Sequence, residues 1–114
     1  MRADDRVRLA HMIDAADTVS TFMAGRNRAD LDSDRMLLFA VVHGIEVIGE
    51  AATRVSDETR QAAPDIPWNA IVGMRNRLIH GYFDIDTAIV WKTISVEIPA
   101  LLPKLRSLIS APSV

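Results

Sequence analysis

Apolar residues recur every three or four positions through the first half of the chain, which is typical of helices. The pattern predicts a first helix from about Asp5 to Met23, with Gly25 as its C-terminal cap. It predicts a second helix from Ser33 to Val55, with Ser33 as its N-cap. The polar stretch 26–32 between them is expected to be a loop, and no strand-like alternation competes with these helices.

The second predicted helix has one apolar face and one mixed face. Gly44 and Gly49 flank the apolar face, so we expect another helix to approach closely there. The mixed face carries Phe39 and Val47 together with His43, Glu46 and Glu50. Because a purely solvated face does not normally carry two large apolar residues, we expect either another helix or another subunit to cover part of it.

Proline and glycine punctuate the middle of the chain. Residues 56–63 are expected to form one short helical turn before the break at Pro64 to Pro67. A third helix is predicted from Pro67 to Ile79, because proline suits a first helical position, and Gly81 is expected to end it.

The remaining apolar pattern predicts a fourth helix that carries residues 89 to 108. Asp84 and Asp86 both offer N-caps, and Pro99 and Pro103 are expected to bend this helix or split it. The pattern therefore predicts an all-α protein, an antiparallel four- to five-helix bundle in a single domain spanning residues 1–114.

Composition narrows the possible functions. The chain has no cysteine, which excludes disulfides and thiolate metal sites, and its formal net charge of -2 is unlike that of a generic DNA-binding protein. The longest uninterrupted apolar run, Met36 to Val42, is far shorter than the roughly 20 residues of a membrane-spanning helix. Since Met1 to Asp5 also lacks the apolar stretch of a signal peptide, we expect a cytoplasmic protein without a membrane span.

An arginine lies in an unexpected place on the third predicted helix. On a helical wheel, Arg75 falls among the apolar residues of one side, which are Trp68, Ile71, Met74, Leu78 and Ile79. A guanidinium there needs a partner or a route to water. Either it reaches out from the edge of the stripe or pairs with a carboxylate such as Glu46 or Glu50, or it awaits an anionic ligand such as a phosphate.

His80 and its neighbours add chemistry to this segment. In a continuous helix, His80 would lie about 140° around from Arg75, so the two side chains would meet only if the helix unwinds or if two subunits join across a two-fold axis. A histidine at this place can equally be a plain cap of the helix end. Asn76 offers hydrogen bonds and Tyr82 offers a hydroxyl or a stacking ring. These residue types suit phosphodiester cleavage, with histidine as general acid or base and arginine stabilising charge on phosphorus.

The segment from Arg75 to His80 resembles the R-x4-H motif of HEPN domains, and its extension to Tyr82 resembles the R-x4-H-x-Y form of HepT-like ribonuclease toxins. The flanking sequence is similar as well, on both sides of the motif and on the second predicted helix: Ile66–Trp68, Gly73–Asn76, Phe83–Asp86, Val90–Trp91 and Glu46–Ala52. The resemblance therefore covers about the last two-thirds of the chain.

The resemblance implies a homodimer that cleaves RNA without a metal or other cofactor, as the toxin of a type II toxin–antitoxin system. It implies that Arg75, His80 and Asn76 are catalytic and lie in a cleft between subunits. The expected partner is a minimal nucleotidyltransferase antitoxin, which in this group can transfer AMP from ATP onto the motif tyrosine, here Tyr82. Independently of the resemblance, Glu46 and Glu50 are expected either to pair with arginines or to lie near the site and support it.

Three other interpretations compete with a ribonuclease. The first is a non-catalytic helical module that binds a nucleotidyltransferase or nucleotides. The second is a metal site formed by His43, Glu46 and Glu50, but bundle metal sites use Glu-x-x-His pairs from two helices, and here the order is reversed and no second pair occurs. The third is a DNA reader, for which the sequence offers neither a helix-turn-helix nor a basic stripe.

Overall fold

Helices make up most of the computed structural model, which describes residues 1–80 and 84–111. The elements follow in chain order: α1 (Ala3–Met23), α2 (Arg28–Ser33), α3 (Arg35–Thr53), α4 (Asp57–Ala62), α5 (Trp68–Val72), α6 (Met74–Leu78), β1 (Ile79–His80), β2 (Asp84–Ile85), α7 (Thr87–Lys92), a π-helical turn (Thr93–Glu97) and α8 (Ile98–Ser110). The structure confirms the predicted all-α class, with one very short β-hairpin as its sheet within the described residues.

The two longest helices, α1 and α3, lie side by side and run antiparallel. Val19 near the end of α1 contacts Gly44 in the middle of α3, and Asp5 near the start of α1 binds Ser56 just beyond α3. Their facing sides form the centre of the core, with these residues fully or almost fully buried: Leu9, Met12, Ala16, Val19, Val41, Ile45, Ile48 and Ala52. The close approach predicted at the glycines is confirmed, because a Cβ on Gly44 would overlap the Val19 Cγ2 methyl.

α3 is the one described helix that is long and apolar enough to cross a membrane by length and composition, with a mean hydropathy of 1.5. Half of that apolar window is buried inside the protein, since α1 packs against one side of α3 and α5 and α6 pack against another. A helix in the core of a folded protein meets the same criteria of length and hydropathy. The predicted cover on its mixed face is incomplete: Val47 packs partly against the core, but Phe39 and Met36 are 56% and 85% exposed.

The predicted loop at 26–32 is wrong, because residues Arg28–Ser33 form α2. A capping box starts this helix: the Asn27 side chain accepts from the Asp30 N–H, and Asp30 accepts from the Asn27 N–H. The predicted N-cap of the next helix is also wrong. Ser33 is the last residue of α2, and Asp34 caps α3 by accepting a hydrogen bond from the Leu37 N–H at 3.1 Å.

A buried carboxylate ties α1 to α4. Asp5 is 2% exposed and accepts hydrogen bonds from the Ser56 N–H at 2.9 Å, the Ser56 hydroxyl at 2.6 Å and the Thr59 hydroxyl at 2.7 Å. Burial alone would raise the pKa of Asp5, but these hydrogen bonds outweigh it and hold that pKa below its usual range. Ser56 is also the N-cap of α4, so one network fixes both the position of α1 and the start of α4. The predicted short helix at 56–63 is confirmed.

The predicted third helix, Pro67 to Ile79, is two helices that meet at Gly73. α5 ends at Val72, Gly73 has φ -84° and ψ -2°, and α6 restarts at Met74. α6 then ends at Leu78 rather than near Gly81, because Ile79 takes an extended conformation and pairs with Ile85 across the β-hairpin. A strand at this position was not predicted, since two residues are too few to show alternation.

The predicted split of the long C-terminal helix is wrong, because the helical backbone continues from Thr87 to Ser110 and changes only to a π-helical turn near the first proline. α7 gives way to the π-helical turn just before Pro99, and Pro99 then occupies the first turn of α8. Proline lacks the N–H that would bond to the carbonyl four residues earlier, so a wider turn accommodates it. Pro103 lies inside α8. Of the two predicted N-caps, Asp86 caps α7, whereas Asp84 lies in β2.

We expect Gly44→Ala to destabilise the protein by up to about 2 kcal/mol, because overpacking against Val19 costs about 1–3 kcal/mol and the gain in helix propensity is about 1 kcal/mol. Urea denaturation followed by circular dichroism measures the change. In a Val19→Ala background the overlapping methyl is gone, so the same substitution should stabilise the protein relative to Val19→Ala alone. An effect of equal sign in both backgrounds would contradict the close contact.

Candidate active site

Arg75 lies at the surface, on the outer side of α6. Its neighbours Met74 and Leu78 are buried and anchor the helix, whereas the Arg75 side chain is 52% exposed. Its Nε donates a hydrogen bond to Glu46 Oε2 of α3 at 3.1 Å. The predicted place within the apolar stripe is therefore wrong, because the break at Gly73 resets the helical phase that a continuous wheel assumes. Pairing of Arg75 with Glu46, one of the alternatives drawn from the sequence, is confirmed.

The two glutamates of α3 differ in what they contact. Glu46 is partly exposed and holds Arg75, while Glu50 lies one turn further on and binds Arg54 of its own helix at 3.1 Å. Glu50 therefore makes no ion pair with Arg75. Within residues 1–80 and 84–111 no three histidine, aspartate or glutamate side chains lie close enough together to hold a metal ion.

His80 lies outside α6, which ends two residues before it. It lies on β1 opposite Asp84, with its side chain 58% exposed. Its Nε2 lies 3.9 Å from Asp86 Oδ2, a distance too long for a hydrogen bond but close enough for charge interaction when the imidazole is protonated. Asp86 is held in place because its Oδ1 accepts hydrogen bonds from the Ala88 and Ile89 N–H groups.

Asp86 is a site residue that the sequence pattern missed. The pattern identifies it only as a helix cap, since it lies six residues after His80. The β-hairpin brings the two together, and the Asp86 N–H donates to the Leu78 carbonyl at 2.8 Å to close it. An acidic residue that both caps a helix and faces a histidine could be found from the sequence only if the hairpin were predicted first.

The other motif residues point in different directions. Asn76 is exposed, next to Arg75. Arg77 donates to Glu97 at 3.2 Å and to the Ala70 carbonyl at 3.3 Å, so it is directed towards the π-helical turn. No hydrogen bond or ion pair joins Arg75 to His80 in the part of the chain that the structure describes. Gly81 and Tyr82 lie outside the described residues.

A cleft of about 500 Å³ opens beside Arg75. α3 forms its floor from His43 to Arg54, α1 contributes Arg8 and His11 to one wall, and Val72 and Arg75 form the other wall. The second wall lies close to α3 because Gly49 has no side chain: a Cβ there would lie 3.2 Å from the Ile71 carbonyl oxygen. Arg75 is therefore part of a concave surface rather than an isolated surface cation.

The sequence model of one family matches residues 12–108 of the chain, and its description is Ribonuclease HepT-like. The chain belongs to the HepT-like ribonuclease family. This confirms the resemblance to HepT-like ribonucleases and extends it over the second half of α1, and it assigns ribonuclease activity at the level of the family.

Relatives with ribonuclease names agree with the family. The chain is 32% identical over 108 residues to a protein of Thermococcus cleftensis named as a probable ribonuclease HepT, covering 95% of this chain and 98% of that one. Proteins with provisional RNase names are 34% identical in Caldanaerobacter subterraneus (89% of this chain, 90% of that one) and 31% identical in Methanocaldococcus jannaschii (88% and 92%). No match was found among solved protein structures.

The exposed Arg75–Glu46 pair should contribute little to stability, since surface ion pairs are worth about 0–1 kcal/mol. We expect Arg75→Ala and Glu46→Gln each to change the free energy of unfolding by less than about 1 kcal/mol. Asp86→Ala should cost about 1–2 kcal/mol, because it removes the N-cap of α7. Guanidinium denaturation measures all three, and a loss larger for Arg75→Ala than for Asp86→Ala would show that Arg75 is chiefly structural.

Proposed function

We propose that the chain is a metal-independent endoribonuclease that cleaves RNA phosphodiester bonds, and that it is the toxin of a type II toxin–antitoxin system. The observation that carries the proposal is Arg75, which is exposed on the wall of a cleft in a member of the HepT-like ribonuclease family. Its Nε makes the one hydrogen bond of its side chain within the described residues, so its two terminal nitrogens are available to bind a phosphate.

The proposed reaction uses the RNA as its own nucleophile. His80 takes the proton from a ribose 2′-hydroxyl, and the 2′-oxygen forms a bond to the adjacent phosphorus. The bond from phosphorus to the 5′-oxygen breaks, and that oxygen leaves with a proton supplied by a protonated imidazole. The products are a 2′,3′-cyclic phosphate and a 5′-hydroxyl. Arg75 stabilises the charge that grows on the phosphoryl oxygens, and Asn76 hydrogen-bonds to the same group.

The site is proposed to be completed by a second copy of the chain. Arg75 pairs with α3, and His80 faces Asp86 at the start of α7, so within one chain each has a separate partner. A two-fold arrangement would join two arginines and two histidines in one cleft. Met36 and Phe39 on α3 support it, because they are large apolar side chains left exposed on the helix that holds Glu46.

The proposed control of the toxin is a modification of Tyr82 by a nucleotidyltransferase antitoxin. The phenol oxygen would attack the α-phosphorus of ATP, release pyrophosphate and lose its proton, which leaves AMP on the tyrosine. Tyr82 follows His80 by two residues, so the added phosphate would lie beside the site and compete with RNA for Arg75.

Arg75→Ala and His80→Ala should each lower the rate of RNA cleavage in EDTA by about 10²- to 10⁴-fold, the usual contribution of a positioned acid–base or charge-stabilising group. Arg77→Ala is the matched control, because Arg77 is directed towards Glu97 and should retain cleavage. The measurement is the release of labelled fragments from single-stranded RNA. Full cleavage by a folded His80→Ala protein would overturn the catalytic proposal, and no cleavage by the wild-type protein would favour the non-catalytic binding module.

Incubating the protein with its nucleotidyltransferase partner and ATP should raise its mass by whole units of AMP, and the increase should vanish in Tyr82→Phe. Intact-protein mass spectrometry measures both. RNA cleavage should fall in proportion to the modified fraction, since the added phosphate competes for Arg75. An increase that persists in Tyr82→Phe would place the modification on another residue.

A further inference from the structure

The cleft beside Arg75 carries more basic groups than the motif accounts for. Arg8 and His11 lie three residues apart on one face of α1, beside the C-terminal end of α3, whereas His43 lies at the other end of the cleft floor, next to Gly44. None of these three side chains makes an ion pair in the described part of the chain. His11 and His43 are exposed and Arg8 is partly exposed, so all three can reach a ligand in the cleft.

The local charge of the cleft is opposite to that of the whole chain. Its arginines are Arg8, Arg54 and Arg75, and its acids are Glu46 and Glu50, so it carries one net positive charge before either histidine is protonated. The chain as a whole has a formal net charge of -2. Because surface charges interact mainly within about 10 Å at moderate salt, a ligand in the cleft experiences this local excess rather than the overall charge.

The cleft also has an apolar component. Val47 and Ala51 contribute to its floor and Val72 to the wall that carries Arg75, and Val72 is among the large apolar residues left exposed. A surface that combines arginines, imidazole rings and small apolar side chains suits a single strand of RNA, whose phosphates bind the cations and whose bases stack on flat or apolar groups.

One end of the cleft lies on the side of the protein where the motif continues beyond Arg75. Ile71 and Val72 lie against Gly49, and Arg75 binds Glu46, so α5 and α6 run antiparallel to α3. The chain beyond Arg75 therefore continues towards the N-terminal half of α3, and β1 with His80 follows on that side. Arg8, His11 and Arg54 lie at the opposite end. The floor from His43 to Arg54 is about 16 Å long at the rise of an α-helix, which is longer than a single phosphate needs.

We propose that Arg8, His11 and His43 form an RNA-binding subsite that holds phosphates next to the cleaved bond. The inference rests on the proposed ribonuclease function, and it names the substrate as single-stranded RNA. In this arrangement Arg75 and His80 act on one phosphate, while the subsite contacts the strand along the cleft, with His43 at the end nearer the motif and Arg8 and His11 at the far end. Glu50 lies on the same floor and weakens this binding, because its negative charge opposes the phosphates.

The test measures binding separately from cleavage. A folded His80→Ala protein is titrated with a fluorescein-labelled single-stranded RNA, and the dissociation constant is followed by anisotropy over a range of salt concentrations. Adding Arg8→Gln, and separately His11→Gln with His43→Gln, should weaken binding at least about tenfold. The Arg8→Gln change should also reduce the slope of log K against log salt by about 0.7, the value for one phosphate contact on a single strand.

Two further variants guard against a general loss of structure. Arg28→Gln makes the same charge change on α2, outside the cleft, and should leave the dissociation constant unchanged within about twofold. Glu50→Gln removes an acid from the cleft and should tighten RNA binding while steepening the salt dependence, an effect opposite in sign to that of the Arg8 variant. A misfolded protein would not bind more tightly.

The outcomes separate the two proposals. Cleavage by the His80→Ala protein would overturn the catalytic role of His80. The RNA affinities of the Arg8, His11 and His43 variants would still decide whether the subsite exists. Unchanged RNA affinity in the Arg8, His11 and His43 variants would overturn the subsite, even if His80 proves catalytic. A change of oligomeric state without a change in RNA affinity would assign these residues to a subunit interface and would likewise overturn it.

Discussion

The close approach of α1 to α3 at Gly44 is the constraint on which the rest of the structure depends. A side chain at this position would overlap Val19, so the spacing of the two long helices is set by the absence of one carbon atom. The facing apolar residues of both helices then form the centre of the buried core. On the opposite side of α3, Gly49 has a similar role towards the carbonyl of Ile71. Both walls of the cleft are therefore positioned by glycines of α3.

The helices of the first half could be predicted closely because each buries a long apolar face. The bounds of α1 and α3 lie within about two residues of the prediction, which is the ordinary uncertainty of helix ends. The short helix α2 was missed, since six residues show too little periodicity, although Asn27 and Asp30 carry the capping signal. The predicted apolar side of the third helix is confirmed by burial even though the helix is interrupted: its residues Trp68, Ile71, Met74 and Leu78 are all buried.

The candidate site was predicted in its residues but not in its geometry. Gly73 is a single residue in a helical pattern, and nothing in its neighbours indicates that the chain restarts there with a new phase. The turn of His80 away from α6 depends on a two-residue strand pair and on Asp86, which are contacts between positions that no periodicity connects. Residue types thus indicate a chemistry, whereas the arrangement of those residues depends on tertiary packing.

Glu46 is an ion-pair partner of Arg75 in the absence of any ligand. Its carboxylate binds Arg75 through Nε, which orients the guanidinium without covering its terminal nitrogens. An entering phosphate can therefore share the arginine with Glu46 rather than displace it, and the arginine loses little conformational freedom on binding. The same carboxylate also repels anions that reach the cleft without forming the direct arginine contact.

The hydrogen bonds of Asp5, which fix α1 and so one wall of the cleft, depend on pH. Its pKa is lowered in the folded protein, so the stabilisation it gives is present above its ordinary value of 3.8 and is lost as the pH falls through the lower folded value. Protonation there would weaken the hold of Ser56 and Thr59 on α1, the helix that carries Arg8 and His11. Loss of this network would loosen one wall of the cleft, whereas the other wall is held to α3 by the buried apolar side chains of α5 and α6 as well as by the Arg75–Glu46 pair.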